Sequence, residues 1–219
     1  MRSILVLNAK GGTGKTTLAT NLAVHFALRG EAVALIDCDP QGSALDWLAL
    51  RPAARVPIRG VDASEPGARV PRGTDYAIFD GPASCHGRRL SRLLQRADTA
   101  LMPVVPSPLD LAAATRFLGE LVEVGRVLKR KVRIGTVANR VREHSPGRWE
   151  VEEFLRSVRL PDGRRVPFIA LLRNAQSYVH AAQRGLAIWE IAPSRAARDR
   201  ELWVPLLSWL DSKRSLPSR

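Results

Sequence analysis

Cysteine occurs only twice in the 219 residues, as Cys38 and Cys85, each inside or beside an expected strand end. Two such residues cannot build the disulfide framework of a small secreted domain, and they point to a reducing compartment, the cytoplasm. No apolar run approaches the roughly 20 residues that a membrane-spanning helix requires. The first expected strand begins within two residues of Met1, which leaves no room for a signal peptide or an N-terminal DNA-binding module. Lysine is scarce, supplying five of the 34 basic residues, and Asp and Glu together number only 21. The resulting formal charge of +13 is therefore carried almost wholly by arginine, whose forked guanidinium suits a surface that tracks a nucleic-acid backbone. The same excess also fits a solvated surface shaped by an arginine-rich codon usage, and composition alone leaves both readings open. Internal repeats and low-complexity tracts are absent as well.

What is present reads as one folded unit, residues 1–219: 45% hydrophobic and 25% charged residues, in a chain long enough to bury a full core. Its most informative stretch runs from Leu5 to Thr17. Ser3 to Leu7 has the aliphatic, β-branched look of a buried strand, and Thr16 to Leu28 has helical apolar spacing at Leu18, Leu22, Ala23 and Phe26. Between them Gly11, Gly12 and Gly14, with Thr13, make a turn whose backbone N–H groups converge on a phosphate at the positive end of the following helix. Lys15 supplies a charge to the β- and γ-phosphates, the Thr16 hydroxyl is placed to hold Mg²⁺, and Thr17 completes the helix start. One glycine of the usual phosphate-loop pattern is missing. Ala9 stands in its place, and a lysine follows at position 10.

Two further strands end in acids. Ala32 to Ile36 is closed by Asp37-Cys38-Asp39-Pro40-Gln41-Gly42, and Asp75 to Asp80 by Gly81-Pro82. Carboxylates at the carboxyl ends of strands point into the ligand crevice of an open α/β sheet. Asp80 has the position of a Walker B magnesium ligand, Asp37 is a candidate for the magnesium shell, and Asp39 for orienting an attacking water. Cys85 and His86 follow without any motif that makes a nucleophile of them. Short helices are expected over Ser43 to Leu50 and Arg88 to Arg96, loops with one strand near Val56 to Val61 across Arg51 to Gly73, and a strand over Thr99 to Val105. A long helix from Leu109 to about Leu128, a strand from Lys131 to Asn139, a helix from Pro146 to Val158, a strand from Val166 to Leu171 and a helix from Ala196 to about Lys213 complete the reading. The last helix carries Leu202, Trp203, Leu206, Leu207, Trp209 and Leu210, the face of an element that docks. The tail after Leu210 is too poor in apolar residues to insert into a membrane.

The string Lys10-Gly-Gly-Thr-Gly-Lys15-Thr16-Thr17, the complete Asp37-x-Asp39-Pro-Gln-Gly42, and the late turn Arg173-Asn174 leading to Ala192-Pro193-Ser194 resemble the ParA/MinD family of ATPases with a deviant Walker A motif. The resemblance spans nearly the whole chain. Residues 41–47 and 138–143 are most similar to the short orphan ParA-like positioning ATPases. It implies a P-loop NTPase fold, a mainly parallel twisted sheet with helices on both faces. ATP and Mg²⁺ are the implied cofactors. Lys10 is implied to reach across an ATP-dependent homodimer to the partner's phosphates, and Asn139, with Arg140 beside it, to recognise adenine. The implied partners are DNA bound without sequence preference, so that the protein is nucleoid-associated, and a small adaptor on a cargo that stimulates slow hydrolysis. For the DNA face, Arg173, Arg184, Arg195, Arg198 and Arg200 are the candidates. A MinD-like membrane-associated regulator is the alternative. A metabolic P-loop enzyme fits less well, since the sequence shows no substrate lid and no second cysteine placed to share a metal cluster with Cys85.

Overall fold

The computed structural model describes residues 1–127, 132–159, 163 and 165–217. Seven strands form a single sheet: β1 Arg2–Val6, β2 Val33–Asp37, β3 Arg59–Asp62, β4 Tyr76–Asp80, β5 Thr99–Val104, β6 Arg133–Val141 and β7 Phe168–Arg173. Their order is β3-β2-β4-β1-β5-β6-β7, and every pairing is parallel. Parallel pairing demands crossovers, and those with helices are α1 Lys15–Leu28, α2 Ser43–Ala49, α3 Gly87–Gln95, α4 Pro108–Val127 and α5 Pro146–Ser157, while α6 Gln176–Ala182 and α7 Pro193–Asp211 follow the last strand. All strand carboxyl ends therefore lie on one edge of the molecule, and the crossings from β1 and β2 run to one side of β1 while those from β5 and β6 run to the other, which places the phosphate loop at the switch point.

The sheet is buried on both faces, which explains why its central strands are continuous apolar runs without alternation. In β1, Ile4 and Val6 face one core with α1 and α7, and Leu5 faces the other with α3, α4 and α5. Phe26 of α1 stacks on Tyr76 with ring centroids 3.9 Å apart. In the same core Trp203 is completely buried and donates its indole N–H to Tyr178 Oη at 2.9 Å. The terminal helix is thus docked, as its apolar residues indicate. Its end is fastened by Arg29 to Asp211 and by Thr99 Oγ1 donating to the Ser215 carbonyl at 2.6 Å. Among the described residues no helix is long and apolar enough to cross a membrane.

Element boundaries differ from the sequence expectation in instructive ways. The strand expected near Val56 to Val61 is Arg59–Asp62, an exposed edge strand on β2 whose mixed residues carry no clear period. The last helix begins at Pro193, three residues early, because proline suits a first helical turn, and it continues through Pro205. The last strand lies at Phe168–Arg173, two residues beyond the expected span. Strand β6 runs past Asn139 to Val141 with an irregular register against β7, so that Asn139 and Arg140 sit within an irregular strand end. Leu128 and Lys131, expected as the end of α4 and the start of β6, lie outside the described residues.

Candidate nucleotide-binding site

The glycine loop folds back on itself because side chains below it leave no other path. Asn8 is buried, donates Nδ2 to the Pro103 carbonyl at 2.7 Å and accepts the Lys10 N–H at 3.0 Å, which fixes the first bend. Thr13, also buried, turns its hydroxyl toward the Lys10 carbonyl. Gly14 has φ 87° at the start of α1, and a β-carbon there would lie 2.3 Å from Asn139 Nδ2. Only glycine meets both conditions. At Gly11 and Gly12 a β-carbon would meet nothing within 4 Å, so packing inside the chain does not require glycine there. Glycine at open positions leaves backbone N–H groups free for close approach by a ligand.

Beneath the loop the charges converge. Lys15 is 7% exposed, and its ammonium donates to the Lys10 carbonyl at 3.2 Å. Burial lowers its pKa, and the charges of Asp80 and Asp39 offset that shift. The Thr16 hydroxyl donates to Asp80 Oδ2 at 2.6 Å. Asp80 Oδ1 is buried and has no hydrogen-bond partner. Desolvation pushes the Asp80 carboxyl up to about 7, against the Thr16 hydrogen bond that favours the carboxylate. An orphaned carboxylate oxygen beside a threonine hydroxyl is a donor set that fits Mg²⁺. Among the described residues no cluster of three or more His, Cys, Asp or Glu side chains could hold a metal by itself. A cation here therefore depends on nucleotide phosphates for the rest of its shell.

The two acids after β2 are used differently from one another. Asp37 lies opposite Asp80 in the parallel register, yet its carboxylate is turned to the backbone. Oδ2 accepts from the N–H groups of Ala44 and Leu45 at 2.8 and 3.1 Å, and Oδ1 from Asp39 N–H at 3.1 Å. Desolvation raises its pKa, opposed by these three bonds. Asp37, the candidate for the magnesium shell, thus caps the start of α2, satisfying N–H groups that have no partner within the helix. Asp39 accepts from Gln41 N–H at 3.1 Å through one oxygen and from Ala83 N–H at 3.2 Å through the other. It therefore joins the loop after β2 to the loop after β4. The latter is also tied to the phosphate loop by Ser84 N–H donating to the Ala9 carbonyl at 2.7 Å, with Ser84 at φ 51°.

Asn139 and Arg140 both reach the loop from β6. Asn139 is 6% exposed and donates Nδ2 to the Thr13 carbonyl at 2.8 Å, while Arg140 Nη1 donates to the Gly12 carbonyl at 2.9 Å. The adenine-reading role that resemblance implies for Asn139 meets a geometry of support: its amide nitrogen faces a loop carbonyl. Lys10 pairs with Asp110 of α4 at 2.8 Å. Thr17, in the first turn of α1, accepts at its carbonyl from Asn21 Nδ2. Cys38 and Cys85 are free and buried, and burial pushes their thiols up to about 12 and 11, which favours the neutral thiol over the nucleophilic thiolate.

The five arginines considered for DNA separate into two groups. Arg173 pairs with the fully buried Asp199 at 2.5 Å and with Glu143, Arg198 pairs with Glu143 and Glu201, and Arg200 donates to the carbonyls of Ile188, Trp189 and Ile191. These three are occupied within the fold: Glu143 and Asp199 are distant in sequence, Glu201 lies one turn from Arg198, and the partners of Arg200 are backbone groups. Arg184 and Arg195 have no ion pair among the described residues. With Arg55 and His180 they line a cleft of about 730 Å³ between the loop after α2 and the segment of α6 and the residues that follow it.

Sequence reasoning missed Asn8, Asp110 and Arg55. The asparagine two residues before the loop lysine was legible as a polar residue at a strand end, and Asp110 as an acid at a helix start. Nothing in the sequence signals Arg55, which enters the cleft only through the fold.

The profile described as the CobQ/CobB/MinD/ParA nucleotide binding domain matches residues 4–188. The chain is 29% identical over 204 residues to the maintenance of carboxysome distribution protein A of Halothiobacillus neapolitanus, covering 90% of this chain and 91% of that one. It is 34% identical over 192 residues to the protein of the same name from Gloeobacter kilaueensis, covering 85% and 83%. Among solved structures, apo McdA of Cyanothece superposes with a TM-score of 0.72 at 17% identity, covering 96% of this chain and 99% of that one. A cobyrinic acid a,c-diamide synthase from Mycobacterium smegmatis, with a bound ATP analogue and magnesium, superposes with a TM-score of 0.70 at 19% identity, covering 100% and 98%.

Proposed function

Because the chain belongs to the CobQ/CobB/MinD/ParA nucleotide-binding family, we propose that it is an ATPase whose ATP-bound form dimerises, binds DNA without sequence preference and distributes a cargo, the carboxysome. The observation that carries the nucleotide part is the buried, unpartnered Asp80 Oδ1 beside Thr16, at the foot of a loop whose glycines leave open space. The names of the two curated relatives, which align over most of their length, support the cargo.

Thr16 and Asp80 would hold magnesium, which when bound neutralises the β- and γ-phosphate oxygens and favours departure of the leaving group. Lys15, already desolvated, supplies a fixed positive charge to the same oxygens, and the loop N–H groups add their dipoles. Asp39 orients the attacking water. Its link to Ala83 N–H makes that orientation depend on the conformation of the loop after β4, which changes once the terminal phosphate has gone. Asp37 acts from behind, holding α2 and its own backbone so that Asp39 points into the crevice. Lys10 extends to the phosphates of a second copy, closing two protomers face to face, and a small adaptor on the cargo stimulates hydrolysis.

For DNA, the cleft of Arg55, Arg184 and Arg195 gathers guanidinium groups that form no ion pair among the described residues, and a dimer doubles the phosphate contacts it offers. A membrane-bound mode is disfavoured by the docking of α7 through Trp203. Gel shift with unrelated DNA and sedimentation with anionic liposomes, each with and without ATP, test the reading. Retention of DNA only with ATP, and no liposome binding, is the expected result. ATP-dependent liposome binding without DNA binding overturns it.

A further inference from the structure

The cleft that gathers Arg55, Arg184 and Arg195 has an acid in its wall. Glu190 is the one carboxylate among the described residues that line it. Its side chain is 2% exposed, and both oxygens accept from the forked guanidinium of Arg51, Oε2 from Nη1 and Oε1 from Nη2, each at 2.8 Å. Oε2 also accepts from the Ala187 N–H at 3.1 Å. Arg51 is 5% exposed and has little freedom to leave. Its Nε donates to the Val56 carbonyl and its Nη1 to the Gly185 carbonyl, both at 3.1 Å, and its guanidinium carbon lies 5.6 Å from the centroid of the Trp47 ring. The chain at Gly185 comes so close that a β-carbon there would lie 2.4 Å from the Arg51 backbone nitrogen, and its φ is 62°, so only glycine allows the approach. The two carbonyls stand next to Arg55 and Arg184, and one buried guanidinium therefore binds both walls of the cleft and the acid between them.

We propose that Arg51 is a positioning residue for the polyanion cleft: it holds the Glu190 carboxylate in the wall, so that Arg55, Arg184 and Arg195 meet a phosphate without an internal competitor. The proposal rests on the reading that this cleft binds DNA. A guanidinium grips a carboxylate in the same forked geometry as a phosphate, so an unclaimed carboxylate in the cleft competes for the same donors. Arg173 shows that outcome elsewhere in the chain, claimed by Asp199 and Glu143. A buried carboxylate that loses its partner seeks another cation, and the arginines lining the same cleft supply them. Each one so claimed removes about one phosphate contact and lowers the salt slope of DNA binding by about one. A buried ion pair adds little net stability over apolar residues of the same volume, so its effect lies in which charges it leaves to the cleft.

The experiment measures fluorescence anisotropy of an unrelated duplex DNA over a salt series, with a slowly hydrolysed ATP analogue, for wild type, Arg51→Gln, Glu190→Gln and the double variant. Expected are an affinity about three- to tenfold lower in Arg51→Gln, with a salt slope smaller by about one, and an affinity within about twofold of wild type in Glu190→Gln. Adding Glu190→Gln to Arg51→Gln recovers about three- to tenfold, a non-additivity that loss of packing at Arg51 does not produce. Should Arg51→Gln fold poorly, Arg51→Lys carries the test, since it keeps a cation and loses the fork: about two- to threefold weaker binding, again recovered by Glu190→Gln. Wild-type affinity in the Arg51 variant measured, or a Glu190→Gln effect that is the same in both backgrounds, overturns the proposal and leaves the DNA reading standing. If wild type fails to bind DNA, or joint replacement of Arg184 and Arg195 by glutamate leaves binding unchanged, the cleft is not the DNA face and both fall together.

Discussion

At the scale of single residues, the site depends on which polar atoms are already satisfied within the chain. Asp80 Oδ1 is not, Asp37 is, and this separates two aspartates that look equivalent at the ends of their strands. Lys15→Ala should lower nucleotide affinity by two orders of magnitude or more, since it removes the buried charge aimed at the phosphates. Isothermal titration with ATP and Mg²⁺ checks this, and an unchanged affinity would remove the phosphate-loop assignment. Asp39→Ala has the opposite profile: nucleotide binding and dimerisation persist, while turnover falls about 10²- to 10⁴-fold from loss of the water-orienting carboxylate. A phosphate-release assay at saturating ATP measures it, with wild-type turnover striking Asp39 from the catalytic set. The pair of variants divides binding from chemistry at two residues of the same crevice.

At the scale of elements, the helices do two jobs, covering the sheet and presenting their ends to the crevice. Helix α1 shows the strain of combining them. Its last turn holds His25, packed edge-on to Phe26 and tilted on Trp189, and burial together with Arg29 lowers the His25 pKa. The sign of the consequence is fixed: the unfolded chain binds a proton at this position more readily than the folded one, so stability is full above the unfolded pKa near 6.5 and falls as pH drops through it. Thermal denaturation at pH 7.5 and pH 5.5 should show a larger loss in wild type than in His25→Phe, by a few degrees at about 2–4 °C per kcal/mol. Equal losses in the two proteins would show that His25 is not the group responsible. Much of this level was legible in the sequence. The apolar runs of β1, β2, β4 and β5 and the spacing of α1, α4 and α7 carry their own signals, because strands buried on both faces and amphipathic helices leave different periods. The bounds of strand β3 and the overrun of β6 to Val141 were not legible, since an exposed edge strand has no period and a register irregularity is decided by the neighbouring strand.

At the scale of the whole molecule, charge becomes a surface. The formal +13 is spread over 34 basic residues, but Arg51 is buried against Glu190, Arg173 against Asp199, and Arg200 is spent on three carbonyls. Arg55, Arg184 and Arg195, which line one cleft and form no ion pair among the described residues, make a local basic cluster. Joint replacement of Arg184 and Arg195 by glutamate should weaken binding to every DNA sequence alike by tenfold or more and flatten its salt dependence, with ATP-driven dimerisation intact. Fluorescence anisotropy over a salt series, beside light scattering, reads both. Normal DNA affinity in that variant would place the contact elsewhere. Replacing Arg200 in the same way should instead destabilise the packing of α7 on the loop before it, because three carbonyls would lose their donor.

The sequence by itself determined the class of fold, the phosphate loop and the acids around it, because these rest on local rules: a strand, a glycine turn and a helix start occupy thirteen consecutive residues, and each acid follows directly on its own strand. Only the tertiary structure decided what those groups do to one another. That Asn139 supports Thr13, that Lys10 is held by Asp110 and that Arg173 pairs with Asp199 all depend on contacts between residues far apart in the chain. Such contacts arise when the crossovers bring seven strand ends to one edge, and no local pattern of residue types records which donor will meet which acceptor there.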